Sequence, residues 1–326
     1  MEFDENCLFK DCAMYWLENY VLGFVKDNTY MGTYYHTTHK YLIPFFGEMK
    51  IVNISPSLIQ QFLNTQGKIY SLETLKKMKS CLKNIFQLAK DEQIISVNPV
   101  TSRVKLKSEI LPQTKNIWNK QHYDLAFNFA LTHKDGLGPL ILMDIGISRS
   151  ELLGIMWKNI NWNQEYIQIY QGTVPMQDPL SHKYYVFTGG LKNQYRKREI
   201  PISNKVCEKL KLEYQRVLFL GKQQGLSQKQ INDQFIISNK YGKAMDPNNW
   251  GQRQYKRFIK DLTTKYPQVP KLTPHELRHT RATLWYEEQI DLLAIGFAGG
   301  WCDLKMLRKR YAHINIDTLK KKLNRN

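Results

Sequence analysis

The chain has 326 residues, with 47 Lys and Arg against 29 Asp and Glu and a net charge of +18. That length exceeds a typical single domain and allows two domains with a substantial core. The surplus of positive charge implies a polyanionic partner, nucleic acid first, because each neutralised phosphate releases condensed counterions; basic residues spread along the whole chain set aside an anionic membrane surface, which would call for one amphipathic block.

The first residues, Met1-Glu2-Phe3-Asp4-Glu5, are acidic where a signal peptide would be basic. From residue 7 to about 104 the pattern predicts a small bundle of about four helices. Met14, Trp16, Leu17, Tyr20 and Val21 recur at helical spacing, as do Leu75, Met78, Leu82, Ile85, Phe86 and Leu88. Ile54-Ser55-Pro56 reads as a helix start with Pro near the first turn, Ser71 as another start, and Asn98-Pro99 as the stop of the segment. Residues 105–120 turn polar and basic around Pro112, as a linker does.

Beyond that linker a mixed region begins. Helices are expected over 121–134, 149–158, 204–221, 249–265, 274–289 and 303–310, and β-rich runs at Tyr166 to Tyr170, Tyr184 to Thr188 and Arg198 to Ile202 predict a small antiparallel sheet. The last two runs flank a polar, Gly-containing stretch, which predicts a hairpin carrying Lys192 near its tip. The richest apolar stretch, Pro139 to Ile147, is short and interrupted by Asp144, so no membrane span is expected. Five cysteines, Cys7, Cys12, Cys81, Cys207 and Cys302, show no zinc-binding spacing and suit free thiols in a reducing compartment. A soluble, intracellular, cytoplasmic protein is expected.

Four places could carry chemistry. At Thr273-Pro274-His275-Glu276-Leu277-Arg278, Thr273 suits an N-cap, Pro274 the first helical position and Glu276 the reciprocal partner of a capping box. His275 and Arg278 then share a face near the positive end of the helix dipole, where a phosphate is favoured; a turn histidine and an arginine paired with a surface acid fit the same residues. Ser148 and Glu151 form a second capping box, which puts Arg149 in a first turn, where a cation is comfortable only with an anion in front of it, and Leu152, Leu153 and Met156 on a buried stripe. Lys192 can neutralise a phosphate, protonate a departing alkoxide, or sit in a solvated basic turn. Trp301, after Gly299-Gly300, can donate its indole N–H to a phosphate oxygen or serve as a core residue, and Tyr311 follows in basic surroundings at Lys309-Arg310-Tyr311-Ala312-His313.

Taken together these segments resemble the tyrosine recombinases, the family of phage and conjugative-element integrases and Xer-type resolvases. "GISRSELLGIMW" looks like the family's first-arginine box, "GGLKNQYRKREIPI" like its β-hairpin lysine segment, "TPHELRHTRAT" like its His-x-x-Arg box, and "AGGWCDLKMLRKRYAHI" like its His/Trp-to-Tyr box. The helical part before residue 104 is similar to the family's core-DNA-binding domain. The resemblance implies a mostly α fold with a small antiparallel β-sheet. A SAM-like helical core-DNA-binding domain at 7–104 would precede an α+β catalytic domain at 121–326, the two forming a C-shaped clamp on DNA.

It further implies that Tyr311 is the nucleophile of a 3′-phosphotyrosyl intermediate. Arg278 and a first-box arginine would hold the non-bridging oxygens, Lys192 would protonate the 5′-oxygen, His275 would assist proton transfer or bind the phosphate, and Trp301 would donate a hydrogen bond. Neither a cofactor nor a metal is needed. Aligned on Ser150-Glu151-Leu152, the family's first arginine falls on Ser148, with Arg149 one place later and the cation available there. Trp301 lies one residue further from Tyr311 than is usual in the family. Double-stranded DNA is the implied partner, with a dimer on one site and a homo-tetramer on synapsed DNA in which residues 314–326 are exchanged between protomers. Room remains for an accessory DNA-bending or directionality factor. The expected function is that of a mobile-element integrase. The alternatives are a DNA-binding or architectural member that lost cleavage through Ser148, and a relaxing type IB topoisomerase.

Overall fold

The structure is a computed structural model that describes residues 4–111, 116–191 and 196–301. The expectations for Lys192, Tyr311, a helix over 303–310 and exchange of 314–326 lie outside those residues. The chain divides into two compact units, one drawn from Met1–Thr114 and Met176–Tyr185, the other from Lys115–Pro175 and Val186–Asn326.

The first unit is helical because its apolar residues repeat every three or four positions. Phe9–Trp16 is an α-helix that buries Phe9, Cys12, Ala13 and Trp16. It continues through a wider turn, Leu17–Val21, closed by Leu22 N donating to Leu17 O at 2.9 Å. That widening corrects the sequence reading of Tyr20: a looser turn rotates its side chain off the buried stripe, and it stands 52% exposed. A second helical stretch covers 27–46, as successive runs Asp27–Thr29, Tyr30–Tyr35, Thr38–Leu42 and Ile43–Phe46. Pro56–Gly67 starts where expected, with Ser55 Oγ accepting from Leu58 N at 3.2 Å. Leu72–Asp91 buries every predicted position from Leu75 to Leu88, each such side chain adding about 1.5–3 kcal/mol. Its end at Asp91 is followed by Gln93 with φ of 61°, so the helix stops before Asn98-Pro99.

The second unit is built around Leu137–Ile145, an apolar helix for which the sequence pattern predicts no element. It is buried on all sides, so no amphipathic period marks it. Its Asp144 accepts from Ser203 N at 2.9 Å, and burial raises the carboxyl above its ordinary value. Around it pack Lys120–Thr132, Asn204–Gln223, the continuous helical stretch 247–265 and Pro274–Glu287.

Strands β1 (Ile160–Asn161), β2 (Tyr166–Ile169) and β5 (Arg198–Pro201) form an antiparallel sheet in the order β1-β2-β5, with Ile167 opposite Ile200. β3 (Gln171–Gln177) pairs instead with β4 (Tyr184–Gly190). The predicted pairing of 184–188 with 198–202 is therefore corrected. Asp178 closes a tight turn by accepting from Leu180 N, Ser181 N and Ser181 Oγ, and this turn gives β4 to the nearer strand. The stretch from Gln171 is one arm of that hairpin.

The helix expected over 149–158 is also corrected. It ends after Arg149–Leu152, because at Gly154 the chain passes another backbone so closely that a Cβ would lie 2.8 Å from Gln171 O. A tight turn, Trp157–Asn159, follows. Leu152 and Leu153 are buried as expected, whereas Met156 is half-buried in a bridge to Phe235.

Candidate active site

The helix that carries His275 and Arg278 begins as its sequence dictates. Thr273 Oγ1 accepts from Glu276 N at 3.3 Å, Glu276 Oε2 accepts from Thr273 N at 2.8 Å, and Pro274 occupies the first turn. The fully buried Trp118 anchors this helix, its backbone N–H donating to Thr280 Oγ1 at 3.2 Å and its indole to Pro270 O at 2.7 Å. His275 is exposed, and its Nε2 lies 3.0 Å from Nε2 of the buried His279, so one of the two rings must supply the proton between them.

Arg278, one turn on, is not paired with a surface acid. It is 3% exposed, and Nη1 donates at 3.2 Å to Glu151 Oε2, an oxygen of a carboxylate with no solvent exposure. Its Nη2 donates to Gly299 O, and the Trp301 ring covers the guanidinium with its centroid 4.3 Å from Cζ. Trp301 is half-buried and so closes over a cation here, a role that the sequence reading did not include.

Glu151 is the hub. Arg198, also with no exposed side-chain surface, donates Nη1 to Oε1 at 3.0 Å and Nη2 to Oε2 at 3.4 Å. Arg198 Nε donates to Ala298 O at 2.8 Å, so two arginines meet the negative end of the Leu292–Gly299 helix. Gly300 ends that helix with φ of 64°, and a Cβ there would come within 2.9 Å of Arg198 Nη1, so glycine is needed for the approach. Arg196 Nη1 lies 3.9 Å from Glu151 Oε1. Burial alone would raise the Glu151 carboxyl, but Arg198 and then Arg278 outweigh it and hold the group below the usual carboxylate range.

The structure places Ser148, not Arg149, at this hub. Ser148 Oγ caps its short helix at Glu151 N and donates to Glu151 Oε2 at 2.8 Å. Arg149 turns to Pro247 O, at 3.3 Å, and lines a cleft of about 950 Å³ together with Lys256, Lys260, Lys271 and His275. Among the described residues no acidic one lines that cleft, so it offers a phosphate-bearing polymer several positive charges beside the buried arginines.

The sequence reading missed Glu151 as an ion-pair centre, Arg198 and His279. Signals existed for two of them: Arg198 falls on the inward face of β5 with Ile200, and His279 is four residues beyond His275.

Residues 133–317 match the Phage integrase family, and residues 8–66 match the Phage integrase N-terminal SAM-like domain. The chain belongs to the phage integrase family, the tyrosine recombinases. It is 24% identical over 331 residues to the transposase from transposon Tn916 of Enterococcus faecalis, covering 96% of this chain and 76% of the relative. It is 26% identical over 325 residues to tyrosine recombinase XerC of Thermodesulfovibrio yellowstonii, covering 92% and 93%. Among solved structures, the Tn1549 transposon integrase in complex with transposon right end DNA superposes with a TM-score of 0.73 at 22% identity, covering 98% of this chain and 99% of that one. A lambda integrase dimer bound to a core site gives 0.62 at 15% identity, covering 92% and 97%. These likenesses carry the fold: helical, with small sheets, in a SAM-like part followed by a catalytic part.

Proposed function

We propose that this chain is a site-specific DNA recombinase of a mobile element, cleaving and rejoining duplex DNA through a 3′-phosphotyrosyl link on Tyr311. The observation that carries this reading is the buried Arg278–Glu151–Arg198 cluster beside a cleft lined by Arg149, Lys256, Lys260, Lys271 and His275. In the reaction the Tyr311 oxygen bonds to phosphorus and the bond to the 5′-oxygen breaks, that oxygen leaving as a hydroxyl. Lys192 supplies its proton, and His275 assists at the phosphate or in proton transfer. Arg278 meets the charge that gathers on the non-bridging oxygens, and Trp301 steadies the guanidinium and donates to the phosphate. The energy kept in the new ester lets a second 5′-hydroxyl attack and reverse the step.

The partner on this reading is duplex DNA, bound by a dimer at one site and a tetramer at synapsis, with residues 314–326 exchanged between protomers. Residues 7–104 bind the core site, 105–120 link, and 121–326 carry the chemistry, in association with the nucleoid. Lambda integrase is seen as a dimer on a core site and as a tetramer on a Holliday junction. Among the described residues, no helix is long and apolar enough to cross a membrane.

A DNA duplex of the site, nicked near the crossover so that cleavage is trapped, tests the reading. The expected result is a covalent protein–DNA adduct from the parent and none from Tyr311→Phe. A second reading, a DNA-binding member without cleavage, draws on the uncharged Ser148 at the hub, and site-specific binding with no adduct would establish it instead. Affinity for the site is expected to fall by about 10³-fold or more between 50 and 200 mM salt, as for six or more neutralised phosphates. A flat salt response, read by titration at several ionic strengths, would argue against a cationic cleft as the DNA seat.

A further inference from the structure

The Glu151 hub has more cations around it than its own neutralisation needs, and they are not equivalent. Arg198 is committed: its side chain has no exposed surface, and its Nε, Nη1 and Nη2 all donate, to Ala298 O, Arg196 O and Glu151. Arg149 is directed to Pro247 O and the neighbouring cleft. Arg196 differs from both. Its side chain is 30% exposed, and its ion pair with Glu151 is long, at 3.9 Å. Its backbone is anchored by one hydrogen bond, its carbonyl accepting from the buried Arg198 Nη1 at 2.7 Å. Its Cγ would lie 3.4 Å from a Cβ at Gly300, the residue that follows the Gly299 carbonyl holding Arg278.

A phosphodiester under attack carries charge on two non-bridging oxygens, and one guanidinium serves one side of it. Ser148 brings a hydroxyl to the hub, and that hydroxyl is already spent on Glu151. We propose that Arg196 is the second cation on the scissile phosphate, filling the charge that Ser148 lacks, with Glu151 holding it beside Arg278 until DNA arrives. The exchange is favourable because a dianion-like transition state draws the guanidinium away from a carboxylate that Arg198 and Arg278 still neutralise. This inference rests on the recombinase reading above and names a catalytic residue for it.

The trapped-cleavage assay on the parent and a small set of variants tests it. Arg196→Ala is expected to slow adduct formation by about 100-fold, with affinity for the same site changed less than about threefold, since phosphate contacts elsewhere set binding. Arg196→Lys is expected to recover part of the loss. In a Ser148→Arg background the cost of Arg196→Ala should shrink to under about tenfold, because a guanidinium from position 148 then supplies the missing charge. A rescue of this kind separates chemistry from folding, and melting temperatures of the parent and every variant accompany it. An Arg196→Ala rate within threefold of the parent overturns the proposal, as does a loss that Ser148→Arg does not relieve. Absence of any Tyr311-dependent adduct from parent and variants alike overturns the recombinase reading itself, and the proposal with it.

Discussion

Glu151→Ala is expected to destabilise the second unit by about 3–5 kcal/mol, the usual cost of stripping one partner from a buried ion pair. The reason lies in what remains. Arg198 with no exposed side-chain surface and Arg278 at 3% would lose the carboxylate they share, in a place where water does little to replace it. Urea or thermal unfolding reads the loss, and a change below about 1 kcal/mol would mean that solvent reaches both guanidiniums. Acid adds a second signature. The folded carboxyl ionises more readily than an ordinary glutamate, so its stabilising contribution is complete above the unfolded value of about 4.3 and is lost as pH falls through the lower folded value. Glu151→Gln, which has no charge to lose, should therefore show a flatter fall in unfolding midpoint below about pH 4.

The second large effect is on chemistry. Arg278→Lys is expected to slow formation of the Tyr311 adduct by about 10²–10³-fold, the range for removing one preorganised donor from a developing oxyanion. A lysine keeps the charge but not the planar fork that lets Arg278 hold Glu151 Oε2 and Gly299 O together. Without that fork the cation is not aimed when phosphorus becomes five-coordinate. Affinity for the uncleaved site should change by less than about tenfold, because backbone contacts across the basic cleft set binding. Equal losses in affinity and rate would instead make Arg278 a binding residue, and an unchanged rate would remove it from the reaction.

Local features of this chain are legible in its residues. The two capping boxes, Thr273 with Glu276 and Ser148 with Glu151, each lie within four residues of chain and form as predicted. The 72–91 helix is legible for the same reason, since its buried stripe repeats along a single element. The Leu137–Ile145 helix is not, because a helix buried on every side has no polar face to mark its period. Tyr20 is misread where a widened turn breaks the 3.6-residue repeat.

The order of the four C-terminal boxes and the helical N-terminal pattern thus determined the family from sequence alone, because motif order and local periodicity are properties of the chain itself. The tertiary structure decided which charges meet. Arg198 and Arg278 lie 47 and 127 residues beyond Glu151, and nothing in their spacing announces that one buried carboxylate gathers both. It also decided that Ser148 faces that carboxylate while Arg149 turns to Pro247, since the direction of a side chain is set by the elements packed against it. Burial makes those pairings energetically decisive, and burial is conferred by residues distant in the chain.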